Sequence, residues 1–307
     1  MPDYTKLIDK ETWAFIDETA SYYPPDTYQM SLADQRAIYD RMCRAFFQGY
    51  PDSVTARDST LAGVPVRTYS GADAQAQIVY FHGGGFVVGG LESHDDVCAE
   101  LCEGTGCTVT AVDYRLAPEH KHPAMFDDAI AATRAVLAAT EGPVLLCGDS
   151  AGGNLAAAAA HGLRGENRIT GQVLIYPGLG GDINAGSYLE HAEAPLLTRD
   201  EILYYGDIRS DGPAPEANAT YAPLHDNDFS GLPPTMVITA ECDPLSDDGR
   251  DYRDAILAAG GKAVWINETG LVHGYLRART TVKRARQSFD RIIAALNALK
   301  IGDWPYA

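Results

Sequence analysis

The chain has 307 residues, 46% of them hydrophobic and 21% charged, with a formal net charge of −18. That length suits one large α/β domain with insertions, and the composition is ordinary for a soluble globular protein, which argues against disorder. The acidic excess opposes a phosphate backbone and excludes nucleic acid as a partner, and no window supplies the roughly 18 consecutive apolar residues of a membrane-spanning helix.

The start of the chain, MPDYTKLIDKETW, carries acidic residues and no long apolar core, so it reads as neither a secretory signal nor a membrane anchor, and the cytoplasm is the expected compartment. Residues 1–50 contain two helical patterns, 5–21 and 31–47, rich in aromatic side chains and separated by Tyr23-Pro24-Pro25. The runs 54–59 and 64–69 flank Leu61, Ala62 and Gly63 as a hairpin. Apolar, β-branched runs at 77–81, 108–113, 144–147, 173–176, 235–240 and 263–266 read as buried strands. Helical patterns lie between and after them at 94–103, 125–139, 151–163, 247–259 and 278–299. Alternation of this kind predicts an α/β fold with a mostly parallel sheet covered by helices on both faces.

Residues 178–232 separate two strands by far more than a crossover needs, and carry only short helical pieces such as 198–205. Loops of that length in a compact domain are lids or are disordered. The expected organisation is a catalytic core of 51–177 and 233–307, with 1–50 and 178–232 forming one helical cap. The six cysteines (43, 98, 102, 107, 147 and 242) form no CxxC pair, which argues against a zinc site or a disulfide framework.

Gly148-Asp149-Ser150-Ala151-Gly152 follows a predicted strand and opens a predicted helix, the context in which G-x-S-x-G forms a nucleophile elbow. Glycines two residues either side of Ser150 leave room for a sharp turn, and the helix N-terminus points N–H groups at the place where an oxyanion forms. Taken alone, the motif is also compatible with a glycine-rich turn carrying an incidental serine. His82-Gly83-Gly84-Gly85 also follows a strand, and consecutive glycines let backbone N–H groups approach a reacting oxygen. A serine needs a base, and the base an orienting acid. His161 falls inside a helix and His191 and His225 in the insertion, whereas His273 follows the last predicted strand and Asp243 the one before it. The order Ser150, Asp243, His273 is that of α/β-hydrolases.

HGGG at 82–85, YRLAPE at 114–119, GDSAGG at 148–153, DPL at 243–245 and HG at 273–274, in this order, resemble the hormone-sensitive-lipase family of α/β-hydrolase carboxylesterases, in the branch with Asp beside the nucleophile. The resemblance implies an eight-stranded sheet with a helical cap, and hydrolysis of short- to medium-chain acyl esters. It implies Ser150 as nucleophile, His273 as base, Asp243 as orienting acid, and the N–H groups of Gly83, Gly84 and Ala151 as oxyanion donors. His82, Gly85, Gly148, Asp149 and Gly152 are supporting motif residues, His82 bracing the glycine loop and Asp149 acting electrostatically or as a structural hydrogen-bond partner. Asp248-Gly249 stands where the family often has Glu-Gly. Arg115 and Glu119 are expected to tie down a loop through ion pairs. Neither a metal nor an organic cofactor is required, and the partner is a small-molecule ester, with a homodimer left open. Amide or formamide hydrolysis and lactone hydrolysis use the same three residues and stay open. A non-catalytic receptor on this fold, as in the related plant gibberellin receptors that lack the histidine, is disfavoured by His273.

Overall fold

The computed structural model describes residues 2–72 and 74–306. Its strands are β1 Thr55–Leu61, β2 Val64–Ser70, β3 Gln77–Phe81, β4 Thr108–Val112, β5 Val144–Asp149, β6 Ile169–Ile175, β7 Thr235–Cys242 and β8 Ala263–Val272. They form one eight-stranded sheet in the order β1-β2-β4-β3-β5-β6-β7-β8. β2 runs antiparallel to β1 and β4, and every later neighbour pair is parallel. From β3 the chain steps to β4 on one side and then to β5 on the other. That reversal opens a crevice at the carboxyl ends of β3 and β5, where α/β sheets bind ligands.

The helices are α1 Tyr4–Leu7, α2 Lys10–Ala20, α3 Leu32–Ala45, α4 Asp95–Thr105, α5 Ala124–Ala139, α6 Ala151–Gly162, α7 Gly186–Glu190, α8 Arg199–Arg209, α9 Ser246–Ala258 and α10 Lys283–Leu299. α5, α6 and α9 cover one face of the sheet, and α4 and α10 pack together on the other. Ala156 to Ala160 in α6 are all fully or almost fully buried, and their small side chains let this helix lie close on β3, β5 and β6. Among the described residues no helix is long and apolar enough to cross a membrane.

Several expected elements differ in extent, the first helical pattern, the last strand and the last helix most clearly. The first helical pattern is two helices, because the Asp9 carboxylate accepts the Thr12 N–H at 2.9 Å and caps a new N-terminus. The last strand continues six residues past its apolar run, since the backbone ladder with β7 carries on through Asn267 and Glu268 and resumes after a register shift at Cys242 and Val272. The last helix begins at Lys283, after a separate 3-10 turn, Tyr275–Thr280.

That turn is anchored by Arg279, whose side chain is 1% exposed and pairs with Asp96 and Glu100, each at 2.7 Å, on α4. Removing the guanidinium leaves buried Asp96 with the Gln48 N–H as its remaining donor and leaves Glu100 with only the more exposed Arg286. Arg279→Met is expected to lower the unfolding free energy by about 3–5 kcal/mol, measured by urea unfolding. A loss below about 1 kcal/mol would show that the pair is solvated like a surface bridge.

Candidate active site

The sheet positions the serine through backbone packing. Ser150 sits between β5 and α6 at φ 55° and ψ −119°, a conformation that costs energy for a residue with a side chain. The flanking glycines explain how it is held. A Cβ on Gly152 would lie 1.9 Å from the Phe81 carbonyl oxygen, and one on Gly148 would lie 2.3 Å from the Gly152 carbonyl oxygen. Only bare backbone allows α6 to start so close to the ends of β3 and β5.

His273, after β8, brings Nε2 to 2.8 Å from Ser150 Oγ and Nδ1 to 2.7 Å from Asp243 Oδ2. Asp243 is fully buried after β7, and its Oδ1 accepts the Leu245 N–H at 2.9 Å. Because a carboxylate only accepts, the His273 proton sits on Nδ1, and Nε2 presents a lone pair to the serine hydroxyl. The three side chains singled out from sequence therefore form one hydrogen-bonded line, although 123 residues separate Ser150 from His273.

The glycine loop departs from expectation at one position. Gly83 donates its N–H to Asp149 Oδ1 at 2.9 Å, so that donor is already engaged and faces away from an incoming oxygen. Gly84 and Gly85, at φ 126° and 60°, and Ala151 in the first turn of α6 make no such bond among the described residues. Asp149 also accepts from the Tyr80 hydroxyl at 2.8 Å and from His94 Nε2 at 3.1 Å. Burial, the largest single influence, works to raise the Asp149 pKa, but His94, Tyr80 and the Arg277 charge together outweigh it and bring the value down to about 2. His82 braces the loop as expected, with Nδ1 at 2.8 Å from the Gly83 carbonyl and its ring stacked 4.3 Å from Tyr114. Burial pushes its pKa down to about 4, which keeps the ring neutral. Sequence reasoning missed His94 and Tyr80. Tyr80 heads the run that leads into the glycine loop but was given no role, His94 belongs to no motif, and both meet Asp149 only through the fold.

The other residues weighed from sequence have structural partners. Arg115 pairs with Asp128 at 2.8 Å. Glu119 receives both terminal nitrogens of Arg36, at 2.8 and 2.7 Å, and Arg36 also donates to the carbonyls of Val87 at 2.8 Å and Ala117 at 3.0 Å. Buried His161 bridges Asp226 and the Tyr252 hydroxyl, His191 meets Tyr4, and His225 meets the Gly180 carbonyl. All six cysteines are buried thiols without disulfides. Burial pushes Cys242 up to about 12. Among the described residues no cluster of His, Cys, Asp or Glu is arranged to hold a metal ion.

Ser150 and His273 open into a cavity of about 800 Å³. Residues 1–50 contribute Tyr23, Tyr28, Tyr39 and Met42 to its wall, and residues 178–232 contribute Tyr188, Leu196, Leu197, Tyr205 and Arg209. Of the aromatic residues in the N-terminal helices, Phe15 and Phe46 are buried in the main core, whereas Phe47 is 42% exposed.

A family model described as the alpha/beta hydrolase fold matches residues 78–277. Carboxylesterase NlhH of Mycobacterium tuberculosis is 40% identical over 77% of this chain and 78% of its own length. The chain belongs to the α/β-hydrolase fold family. Among solved structures, a hyperthermophilic esterase from the archaeon Pyrobaculum calidifontis superposes on this hydrolase with a TM-score of 0.86 at 31% identity, covering 96% of this chain and 99% of that one. An esterase from the bacterial hormone-sensitive lipase family gives a TM-score of 0.86 at 28% identity, covering 94% and 98%. The α/β-hydrolase described here is a carboxylesterase of the hormone-sensitive-lipase type, as the order of its motifs implied.

One carboxyl beside the cavity behaves unusually. Asp248 of this hydrolase is fully buried on α9, and its Oδ2 accepts from Leu179 N at 2.6 Å, Gly180 N at 3.1 Å and the Tyr188 hydroxyl at 3.2 Å. Its Oδ1 is buried with no partner. Burial pushes its pKa from 3.8 up to about 7 against the pull of those donors. A raised carboxyl pKa means the folded chain keeps a proton that the unfolded chain releases. The stabilising contribution is therefore complete below pH 3.8 and lost as the pH rises through about 7. Asp248→Asn removes this titration. Between those limits its stability is expected to gain on wild type by up to about 1.4 kcal/mol per pH unit, followed by chemical unfolding at several pH values. Parallel curves would place an ionised carboxylate at 248.

Proposed function

We propose that this carboxylesterase is a serine hydrolase that cleaves short- to medium-chain acyl esters through an acyl-enzyme. The observation that carries the reading is the unbroken hydrogen-bond line from Ser150 through His273 to Asp243, opening into the cavity. Asp243 fixes the imidazole tautomer and stabilises the imidazolium. His273 Nε2 takes the Ser150 proton as Oγ attacks the ester carbonyl, and the N–H groups of Gly84, Gly85 and Ala151 receive the tetrahedral oxyanion. This assignment keeps two of the donors expected from sequence and moves the third from Gly83 to Gly85. His273 then protonates the leaving alcohol. Water, activated by the same imidazole, attacks the acyl-enzyme and returns Ser150.

Three results test the chemistry together. Ser150→Ala is expected to lower kcat by about 10³-fold or more, Asp243→Asn by up to about 10⁴-fold with folding preserved, and a serine-directed phosphonate should label Ser150 alone. Retention of near-wild-type turnover by Ser150→Ala would end the assignment.

Residues 1–50 and 178–232 are the proposed cap. Both segments wall the cavity, so side chains from each should set acyl-chain preference. Met42→Ala and Leu196→Ala are each expected to move the optimum toward longer acyl chains, since each methylene accommodated in an apolar pocket is worth up to about 0.8 kcal/mol. The check is kcat/KM across acetyl to octanoyl p-nitrophenyl esters. An unchanged profile in both variants would remove these segments from substrate selection.

A further inference from the structure

Arg277 lies in the 3-10 turn that follows His273 and lines the cavity. Nη2 donates to the Tyr39 hydroxyl at 2.6 Å, and Nη1 reaches the Gly274 carbonyl at 3.5 Å. It forms no ion pair among the described residues, and its Nε–H is buried without an acceptor. Arg279, two residues on, has two carboxylates. In a chain of net charge −18, a half-buried guanidinium left without one is a charge the fold has not compensated.

The other cavity arginine, Arg209, also lacks an ion pair among the described residues and has a buried Nε–H without an acceptor, but it is enclosed. Arg209 is covered on its faces by Phe86 at 3.6 Å and Tyr221 at 4.2 Å, and its edge is taken by the Tyr221 carbonyl and Asn154 Oδ1. It is a packing element. Arg277 has a ring at only 5.2 Å, that of Tyr39, which also lines the cavity. Because the Tyr39 oxygen accepts from Arg277, its own hydroxyl proton is left to donate, to the Cys43 sulfur beside it or to a stronger acceptor that enters the cavity. The Tyr23 hydroxyl, on the same wall, feels the Arg277 charge.

The acidic groups at the cavity do not neutralise this cluster. Asp149 senses Arg277 but spends its oxygens on Tyr80, Gly83 and His94. Glu201 caps α8 and binds the Tyr28 hydroxyl. Asp182 and Asp207 also reach the cavity wall. One guanidinium with two hydroxyls matches a single negative charge on a planar oxygen pair, and the carboxylates around it disfavour a dianion such as phosphate.

We propose that Arg277, with Tyr39 and Tyr23, binds a carboxylate on the substrate, so that the preferred substrates are ester acids: molecules carrying both a hydrolysable ester and a free carboxylate. Arg277 is then a specificity-determining residue for the ester hydrolysis proposed above, and the inference rests on that reading. The carboxylate sits in either the acyl or the alcohol half, which two substrate pairs distinguish.

The test compares kcat/KM for p-nitrophenyl hemiadipate with its neutral amide, p-nitrophenyl adipamate, and for 4-acetoxybutanoate with 4-acetoxybutanamide. Wild type is expected to favour the acid in one pair by about tenfold or more, with the ratio shrinking as salt is added. Arg277→Gln should bring that ratio close to one, and Arg277→Lys should keep part of it. Ratios near one in both wild-type pairs, or a preference that survives Arg277→Gln, would overturn the inference. If Arg277→Gln does not fold, competitive inhibition of wild type decides: adipate should bind more tightly than adipamide, and equal inhibition refutes the site. Hydrolysis of the neutral esters without any preference for acids removes this proposal alone. Failure to hydrolyse any ester, with no phosphonate labelling of Ser150, would remove the serine-hydrolase reading itself.

Discussion

The contact between the backbone of Gly152 and the carbonyl of Phe81 holds the rest of the site in place. With 1.9 Å between that oxygen and any Cβ at 152, α6 can start where it does only if the position is glycine. The carbonyl belongs to the last residue of β3, and the glycine loop begins with the next residue. Serine, helix N-terminus and loop are thus fixed to one another by main chain, which relaxes less than side chains do. Strain at Ser150 persists because the packing around it leaves no other path for the chain.

The second organising group is the Asp149 carboxylate. It stays ionised in a fully buried setting because four polar groups converge on it, with the Tyr176 hydroxyl at 3.5 Å as the outermost. Their common effect is to hold the Gly83 N–H inward, while the N–H groups of Gly84 and Gly85 make no such bond among the described residues. A buried polar group of this kind stabilises geometry only when every partner is present. His94 is in turn held by Ser93 at 2.9 Å, so the loop's orientation is tied to the N-cap of α4.

Much of this was legible in the sequence, and for identifiable reasons. The strands at 77–81, 144–147 and 235–240 are continuous apolar runs because both sheet faces are covered, and their ends marked where Ser150 and Asp243 would stand. His273 was distinguishable from the other histidines by following a strand rather than lying in a helix or the insertion. Which of the three loop glycines offer their N–H groups could not be read from sequence, because consecutive glycines carry no side chains that show which N–H faces where. That depends on the φ values of Gly84 and Gly85, which the fold imposes. His94 and Arg277 were invisible for a different reason. Each matters through a partner far away in sequence, Asp149 and Tyr39 respectively, and neither pair belongs to a local motif.

Arg36 joins stretches of chain that are far apart in sequence. From α3 it reaches the carbonyl of Val87 just past the glycine loop, the carbonyl of Ala117 and the carboxylate of Glu119. The N-terminal segment is therefore not a detachable module laid over a finished core. A crossover that replaced residues 1–50 with those of a relative lacking an arginine at this position, while keeping the rest, would leave Glu119 and two carbonyls without their donor beside the glycine loop. Inheritance at position 36 is in this way tied to inheritance at 117–119, and recombination that respects the clasp must carry both.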